Sequence, residues 1–512
     1  MCLNWRQAAL EYLWNEVTLT LNPKSSGVYL ARPPWVKENA LSQSITNLVK
    51  VLHISVHMPG VVNGAAHKCL TKYLGATKCY PSANRIVVMV NTGKSEPSKN
   101  NTIDNVLAFV QLLKSLAPAA KAIQVVCATS PVIRSYYFKE PIGELDEDNF
   151  GLFVNSLYGD STGSKLDLGD AGILNMSTID FIPQLSWLRL FSSNPLSKSM
   201  GLVHKSASTL QYLDIGVTDP STLLYDAKND VVVYPKLQHL HMSHCVGNDQ
   251  NTRLVSSDVV PFPVLRSLKI SQSYKYFNEV LFRGNNATLE YLEFTLCMNS
   301  QQERNIGHVF ENVHTALHHV ILLNDDFYND NPRVTSHDEL NRLLNNLVSN
   351  AKRFVITSSI WLNYVIVAAQ QGHGFQNIRV LETKFEKMSM LNVLSILKAL
   401  PAVTRLRSGI SGMDPSMVHI AADELPDHIV STYGNMGSNL QVWEMTFFNY
   451  RFEDETIDYI LLLALVCPNL SRVELIPNAV PDYHKKITEV LESGPYSKYA
   501  SQLSRVSDII YE

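Results

Sequence analysis

Histidine and cysteine, which commonly bind transition metals, cluster in the stretch KLQHLHMSHC. His239 and His241 are two residues apart, so on a β-strand they would share one face, about 7 Å from each other. A zinc site needs about four ligands around one point. Met242 separates His241 from His244, however, and Cys245 closes a repeat unit in which it would be buried in a turn. We therefore predict no metal and no other cofactor.

Signatures of catalysis are missing from the sequence. It contains no GxGxxG, GxxxxGK(S/T), HExxH or GxSxG pattern, the spacings typical of nucleotide, metalloprotease and hydrolase sites. Adjacent carboxylates occur at Asp325–Asp326 and Glu453–Asp454, in contexts typical of loops or helix starts, where solvation or capping explains them. These observations predict that the chain is not an enzyme; an enzyme of unrecognised type is the least favoured alternative.

Composition restricts the class of protein. The net charge of −4 is too small to indicate binding to nucleic acid or to an acidic membrane. The longest strongly apolar run, Ile460–Cys467, is less than half of a membrane span. Seven cysteines without a CxxC pair indicate reduced thiols. Together with an N-terminus unlike a secretory signal, they predict a soluble protein of the cytoplasm, the nucleus or both.

A repeated unit organises the chain. In the stretch above, Leu237, Leu240 and Met242 stand at offsets 0, 3 and 5, Cys245 stands at offset 8, and Pro235 precedes them by two residues. The same spacing recurs as PQLSWLRL from Pro183, TLQYLDI from Thr209, PVLRSLKI from Pro263, TLEYLEFTLC from Thr288 and PNLSRVEL from Pro468. Self-similarity at a fixed period predicts a solenoid, in which each unit packs against its neighbours.

The period of the repeat is 24 to 28 residues. The offset-0 residues are Leu185, Leu210, Leu237, Leu265, Leu289 and Leu317 and then, less regularly, Lys352, Ile378, Val403, Leu440 and Leu470. We predict a helix before each strand, ended by a proline that cannot continue it, at Pro183, Pro235, Pro263, Pro401 and Pro468. We read the polar stretch Ser411–Gly437 as an inserted loop and DELNRLLNNLVSN, from Asp338, as a helix.

Weaker units precede Leu185. Strands are predicted in ITNLVKVLHISV from Ile45, RIVVMV from Arg85 and KAIQVVCA from Lys121, and a helix in NVLAFVQLLKSLAP from Asn105. Residues 2–19 have an amphipathic helical pattern. The predicted organisation is therefore a helical segment at 1–21, a linker at 22–44, the solenoid at 45–482, and a C-terminal cap and tail at 483–512.

Alternation along each strand predicts which side chains a partner would meet. Offsets 3 and 5 point to the core, and offsets 2 and 4 point to the opposite face. Aromatic side chains beside mixed charges are typical of protein-binding surfaces. The predicted client-binding residues are Trp187, Arg189, Tyr212, Asp214, His239, His241, Lys269, Tyr291, Glu293, Arg405 and Arg407. The last two form a basic spot that could pair with phosphate.

The repeat resembles the leucine-rich repeat, whose pattern is LxxLxLxxN/C. Cys245 and Cys297 stand at offset 8, where that family has asparagine or cysteine, and Asn478 does so in the last repeat. The resemblance implies an α/β horseshoe solenoid with parallel strands on the concave face and helices on the convex face. The cysteine form resembles the intracellular subclass that is commonly attached to F-boxes.

The N-terminal CLNWRQAALEYLWNEVTL resembles the second half of an F-box; the Leu-Pro-containing first half does not appear in the sequence. The residues that match the F-box pattern are Cys2, Trp5, Arg6, Ala9, Leu13, Trp14 and Val17. The resemblance assigns all of these except Val17 to adaptor binding. Together the two resemblances imply a fungal-type F-box/leucine-rich-repeat protein. Such a protein is the non-catalytic substrate receptor of an SCF-type (cullin-RING) ubiquitin ligase and binds a Skp-type adaptor. The alternative is a stand-alone leucine-rich-repeat scaffold.

Overall fold

The computed structural model describes the chain in separate ranges. The described residues are 15–22, 27–31, 46–77, 79–91, 102–127, 147–159, 165–168, 179, 182, 184–190, 200–216, 221–226, 228, 230–243, 259–270, 288–296, 317–324, 348, 350–356, 365–367, 369–370, 375–383, 388–412, 420–421, 423–434, 436, 438–447, 453–476, 483–508 and 510–511. The chain divides into two compact units, Met1–Leu265 and Arg266–Glu512.

Unit 1, Met1–Leu265, contains a sheet whose strands follow chain order. Its described strands are β1 Glu16–Asn22, β2 Gly27–Ala31, β3 Val51–His57, β4 Arg85–Asn91, β5 Ala122–Cys127, β6 Lys165–Asp167, β7 Trp187–Leu190, β8 Tyr212–Gly216 and β9 His239–Ser243. Strands β1 and β3 to β9 each pair in parallel with the next, and β2 pairs antiparallel with the other edge of β1.

Helices cover one face of this sheet. They are α1 Met58–Val62, α2 Ala65–Thr77, α3 Thr102–Leu116, α4 Glu147–Tyr158, α5 Met200–Lys205 and α6 Ser221–Leu224. Helix α3 packs between α2 and α4. It does so through a stripe that includes Val106, Phe109 and Leu113, which are spaced one helical turn apart and buried. The ring of Phe109 lies 6.3 Å from that of Phe153 on α4. The helix and the strands predicted between Ile45 and Cys127 are confirmed.

Strand β1 corrects the predicted N-terminal helix. The helix over residues 2–19 is wrong for Glu16–Leu19, which are extended and pair with β3. Val17, Leu19 and Leu21 are buried with a period of two, which only a strand can satisfy. Strand β2 lies within the predicted linker, 22–44, and extends the sheet beyond β1. Residues 1–14 lie outside the described residues.

Unit 2, Arg266–Glu512, repeats the arrangement. Its described strands are β10 Ser267–Ile270, β11 Tyr291–Leu296, β12 His319–Asn324, β13 Arg353–Ile356, β14 Val380–Thr383, β15 Met388–Ser389, β16 Arg405–Gly412, β17 Val442–Phe447, β18 Arg472–Ile476 and β19 Ile510–Tyr511. They pair in parallel in chain order, except that β16 pairs with both β14 and the two-residue β15. Its described helices are α7 Met390–Ala399, α8 Leu425–Tyr433, α9 Glu453–Val466, α10 Tyr483–Ser493 and α11 Ala500–Leu503, with 3-10 turns at Phe375–Asn377, Ser497–Tyr499 and Val506–Asp508.

The register of β13 differs by one residue from the predicted repeat. Arg353 pairs with His319, so offset 0 falls on Ala351 rather than on Lys352. Ala351 is buried and Lys352 is exposed. A slip of one residue on a strand moves every side chain to the opposite face. The corrected register therefore places Arg353 on the face that carries offset 2.

Two further expectations about helices are wrong. The stretch read as a loop, Ser411–Gly437, contains α8, whose Leu425 and Ile429 are one turn apart and buried. The residues immediately before Pro235 and Pro263 are not helical, whereas α7 and α9 do end just before Pro401 and Pro468. Of the helix expected from Asp338 to Asn350, only Val348, which is helical and buried, and Asn350 are described. The offset-8 residues Cys245, Cys297 and Asn478 lie outside the described residues.

Helix α9 is apolar on nearly all sides because other helices surround it. Residues Ile460–Ala464 are all buried, and α9 packs against α8, α10 and α11. The C-terminal stretch that was predicted to be a cap and a polar tail ends in β19, which pairs with β18. Lys498 and Tyr499 also bond to Asp427 of α8.

The fold of each unit is thus α/β, with an open and almost entirely parallel sheet, consistent with a solenoid. Among the helices that the structure describes, none is long and apolar enough to cross a membrane.

Candidate binding surface

One face of each sheet is covered by the core, and the other, which we call the accessible face, carries offsets 2 and 4. In β7 the burial alternates, so that Leu188 and Leu190 are buried while Trp187 and Arg189 are partly exposed. The parallel register then aligns equivalent positions of neighbouring strands in columns across the sheet. The accessible face is the surface on which the predicted client-binding residues lie.

Aromatic rings form a column on the accessible face of unit 1. Trp187 pairs with Tyr212, and Tyr212 pairs with His239. The rings of Trp187 and Tyr212 are stacked, with centroids 5.0 Å apart and planes at 10°. The ring of His239 lies 6.1 Å from that of Tyr212 and is exposed. Burial raises the pKa of Tyr212, and the charge of Asp214 raises it further, so its hydroxyl remains a proton donor at neutral pH.

A second column of unit 1 carries charges of alternating sign. Arg189 lies between Asp167 and Asp214, with its Nε 3.4 Å from a carboxylate oxygen of Asp214 and its Nη1 4.0 Å from one of Asp167. The Nδ1 atom of His241 lies 2.7 Å from the other oxygen of Asp214. The side chain of Asp214 is only 7% exposed, because these neighbours cover it. Asp214 is thus placed to orient Arg189 and His241, and its direct contact with a client stays a prediction.

On the accessible face of unit 2, Glu293 is a covered carboxylate that orients its neighbours, as Asp214 does in unit 1. Its carboxylate oxygens lie 2.9 Å from Nζ of Lys269 and 2.5 Å from the hydroxyl of Tyr291, which donates to it. Burial, this hydrogen bond and the carboxylate charge raise the pKa of Tyr291. Glu293 is buried, contrary to the exposure expected from its offset. The ring of His319 meets that of Tyr291 edge-on at 6.2 Å.

His319 is electrically neutral at physiological pH. Burial lowers its pKa most, electrostatic interactions with Arg353 and His318 lower it further, and Glu290 opposes that shift. Because the ordinary pKa of histidine is already below 7, a lowered pKa leaves the ring uncharged. Tyr291 and His319 therefore offer a partner ring surface and hydrogen bonds rather than charge.

Arg405 and Arg407 do not form an isolated basic spot. Both approach Glu444 on the neighbouring strand, Arg405 through a close ion pair and Arg407 with its Nε 3.8 Å from the carboxylate. The glutamate side chain is 8% exposed, whereas those of the arginines are 51% and 42% exposed. The guanidinium groups are thus the part that a partner would meet. Binding of phosphate there stays a prediction.

Further ion-paired residues of the accessible face of unit 2 were not predicted from the sequence. They are Glu382, which pairs with Arg353, and Glu474, which pairs with Arg472. Applying offsets 2 and 4 to the irregular later repeats would have found Arg472 and Glu474. It would not have found Arg353, because the wrong offset-0 residue placed it on the core side.

The residues considered for a metal are only partly described. His239 and His241 both lie on the accessible face, whereas His244 and Cys245 lie outside the described residues. Within the described ranges there is no group of three or more histidine, cysteine or acidic side chains that could hold a metal ion. The predicted adaptor-binding residues, Cys2 to Trp14, lie outside these ranges as well.

Comparisons with known proteins find little similarity. No protein-family model matches the sequence, and no curated protein matches it. Among solved structures, one chain of the "Crystal structure of Rad7 and Elc1 complex in yeast" is similar over 88% of this chain and 92% of that chain, with 10% sequence identity and a TM-score of 0.28. A TM-score of this size does not establish a shared fold, so the function proposed below depends on this chain's own residues.

Proposed function

We propose that this chain is a non-catalytic recognition subunit that binds a client protein on the accessible faces of its sheets. The column of Trp187, Tyr212 and His239, in which the first two rings are stacked, carries the proposal. Large rings held rigidly on a sheet provide contact area at little cost in conformational entropy, and such residues dominate the binding energy of protein interfaces. The flanking pairs of Arg189 with acidic neighbours would add specificity.

We further propose that the subunit belongs to an SCF-type ubiquitin ligase of the cytoplasm, the nucleus or both. Support for this step comes from the F-box-like sequence between Cys2 and Trp14 and from the leucine-rich-repeat spacing that follows it. The N-terminal segment would bind a Skp-type adaptor, and through it the cullin, while the sheet holds the client. The alternative, a stand-alone leucine-rich-repeat scaffold, uses the same accessible faces without the adaptor.

Binding to a purified Skp-type adaptor tests the ligase role. We expect a complex on size-exclusion chromatography that Trp5→Ala abolishes and Trp187→Ala leaves unchanged, since the two tryptophans would serve different partners. Trp35→Ala is a control for the loss of an N-terminal tryptophan outside the F-box-like pattern. If neither this chain nor a version with any coding sequence upstream of Met1 binds the adaptor, the ligase role is excluded and the scaffold alternative remains.

A further inference from the structure

The accessible face of unit 2 carries a regular row of arginines. The register aligns Arg353 with Val380, Val380 with Arg405, Arg405 with Val442, and Val442 with Arg472. Arginine and valine thus alternate over five neighbouring strands. Because paired strands lie about 4.8 Å apart, successive arginines are separated by about 9.6 Å. We call Arg353, Arg405 and Arg472 the arginine ladder.

Each arginine of the ladder is held by a glutamate beneath it. Arg353 forms an ion pair with Glu382, Arg405 with Glu444, and Arg472 with Glu474. In the last pair, Nε of Arg472 lies 2.7 Å from Oε1 of Glu474. The arginine side chains are 44%, 51% and 51% exposed, and those of the glutamates are 11%, 8% and 25% exposed. A guanidinium group has five N–H donors, more than one carboxylate can accept. A partner would therefore meet a layer of fixed cations.

The valines between the arginines favour a partner with apolar residues between its charges. Val380 and Val442 are partly exposed in the same column. The ladder together with Arg407 and the three glutamates named above has four positive and three negative charges, so this group has a net charge of only 4 − 3 = +1. Such a surface favours a partner that places one singly charged carboxylate at each arginine. A doubly charged group such as a phosphate would be repelled more strongly by the glutamate that lies beside the arginine.

From this geometry we infer that the arginine ladder binds an acidic polypeptide segment in a polyproline II conformation, with an Asp or Glu at every third position. A polyproline II helix has three residues per turn and rises about 3.1 Å per residue, so residues i, i+3 and i+6 share one side at intervals of about 9.3 Å. That interval matches the spacing of the arginines. The segment would run across the strands, with one acidic side chain facing each arginine of the ladder. The inference rests on the proposed function and specifies the chemistry of the client.

Synthetic peptides test the spacing directly. Fluorescence anisotropy would compare binding of the full chain to EPAEPAE, to EEEPAPA of the same composition, and to QPAQPAQ. We expect the first peptide to bind most tightly and to weaken as salt is raised, because the contacts are exposed and ionic. Equal binding of EPAEPAE and EEEPAPA would overturn the inference. A fourth peptide is QPAQPAQ in which the central glutamine is replaced by phosphoserine. Tighter binding of this phosphopeptide than of EPAEPAE would also overturn the inference.

Paired substitutions locate the site. Arg405→Gln should weaken EPAEPAE about tenfold, the effect of losing one charge-assisted contact. Arg266→Gln removes the same charge from unit 2 outside the ladder and should change affinity less than about twofold. An unchanged affinity for Arg405→Gln would contradict the inference. If Arg405→Gln fails to fold, as judged by circular dichroism, Arg353→Gln and Arg472→Gln give the same test. The peptide assay requires no adaptor, so its failure is distinct from failure of the ligase role.

Discussion

Acidic residues on the accessible faces lie underneath their basic neighbours. Asp214, Glu293 and Glu444 are covered by longer side chains that reach across from adjacent strands. Arginine and lysine stems span the distance of about 5 Å between strands, whereas a carboxylate remains close to its own backbone. The acids therefore fix the cations in position. Their individual contributions to stability are expected to be modest, since the cations are half exposed.

Trp443 and Ser408 form a polar pair inside unit 2. Both are fully buried, and the indole Nε1 donates to the serine Oγ at 2.9 Å. Ser408→Ala would leave the indole N–H without an acceptor, so we expect the free energy of unfolding to fall by roughly 1–3 kcal/mol. Urea unfolding of the purified chain measures this loss.

The Trp443→Phe background is the control for that prediction. Phenylalanine has no donor, so Ser408→Ala should cost less in Trp443→Phe than in the native chain. Equal losses in the two backgrounds would show that the hydrogen bond contributes nothing and that the serine acts only through packing.

At the scale of elements, β1 shows how strand pairing overrides a helical pattern. Val17, Leu19 and Leu21 are buried, and β1 pairs with β2 on one side and β3 on the other. Leu19 is completely buried, whereas Thr18 is partly exposed. We expect Leu19→Ala to reduce the free energy of unfolding by roughly 2–5 kcal/mol, and Thr18→Ala to reduce it by less than about 1 kcal/mol.

Chemical unfolding of the two variants checks the assignment of β1. Similar effects at positions 18 and 19 would contradict a strand with alternating burial. Hydrogen exchange gives independent support, because the amides of β1 should be protected like those of β3.

At the scale of the whole molecule, an open sheet exposes its core unless its ends are covered. In unit 2 the residues after Tyr483 cover α9, and Ile487, Tyr496 and Leu503 are buried there. Removing residues 483–512 should expose the apolar side of α9. We expect several-fold higher fluorescence of a hydrophobic dye and association of the truncated chain, measured by light scattering.

A point variant separates this effect from the loss of chain length. Leu503→Asp places a charge in the buried contact and should increase dye binding, whereas Ser504→Asp, at an exposed neighbour, should not. If both variants behave like the native chain, the C-terminal residues do not protect the core.

Local sequence patterns predict the positions of most of the described strands and the side chains on their two faces. This information is local: leucines at offsets 0, 3 and 5 identify a strand, and alternation assigns Trp187 and Tyr212 to the accessible face. The α/β class and the parallel sheet were implied by the resemblance of this repeat to the leucine-rich repeat. Where the period became irregular, near Lys352 and between Ser411 and Gly437, the predictions failed.

How the residues of neighbouring strands meet depends on contacts between parts of the chain that are distant in sequence. Whether Glu16–Asn22 is a strand depends on β3, which is distant in sequence. Whether Glu444 is exposed depends on Arg405 and Arg407 across the strand pair. The arginine ladder exists because the register brings residues 353, 405 and 472 into one column. Such contacts join parts of the chain tens of residues apart, and no local pattern encodes them.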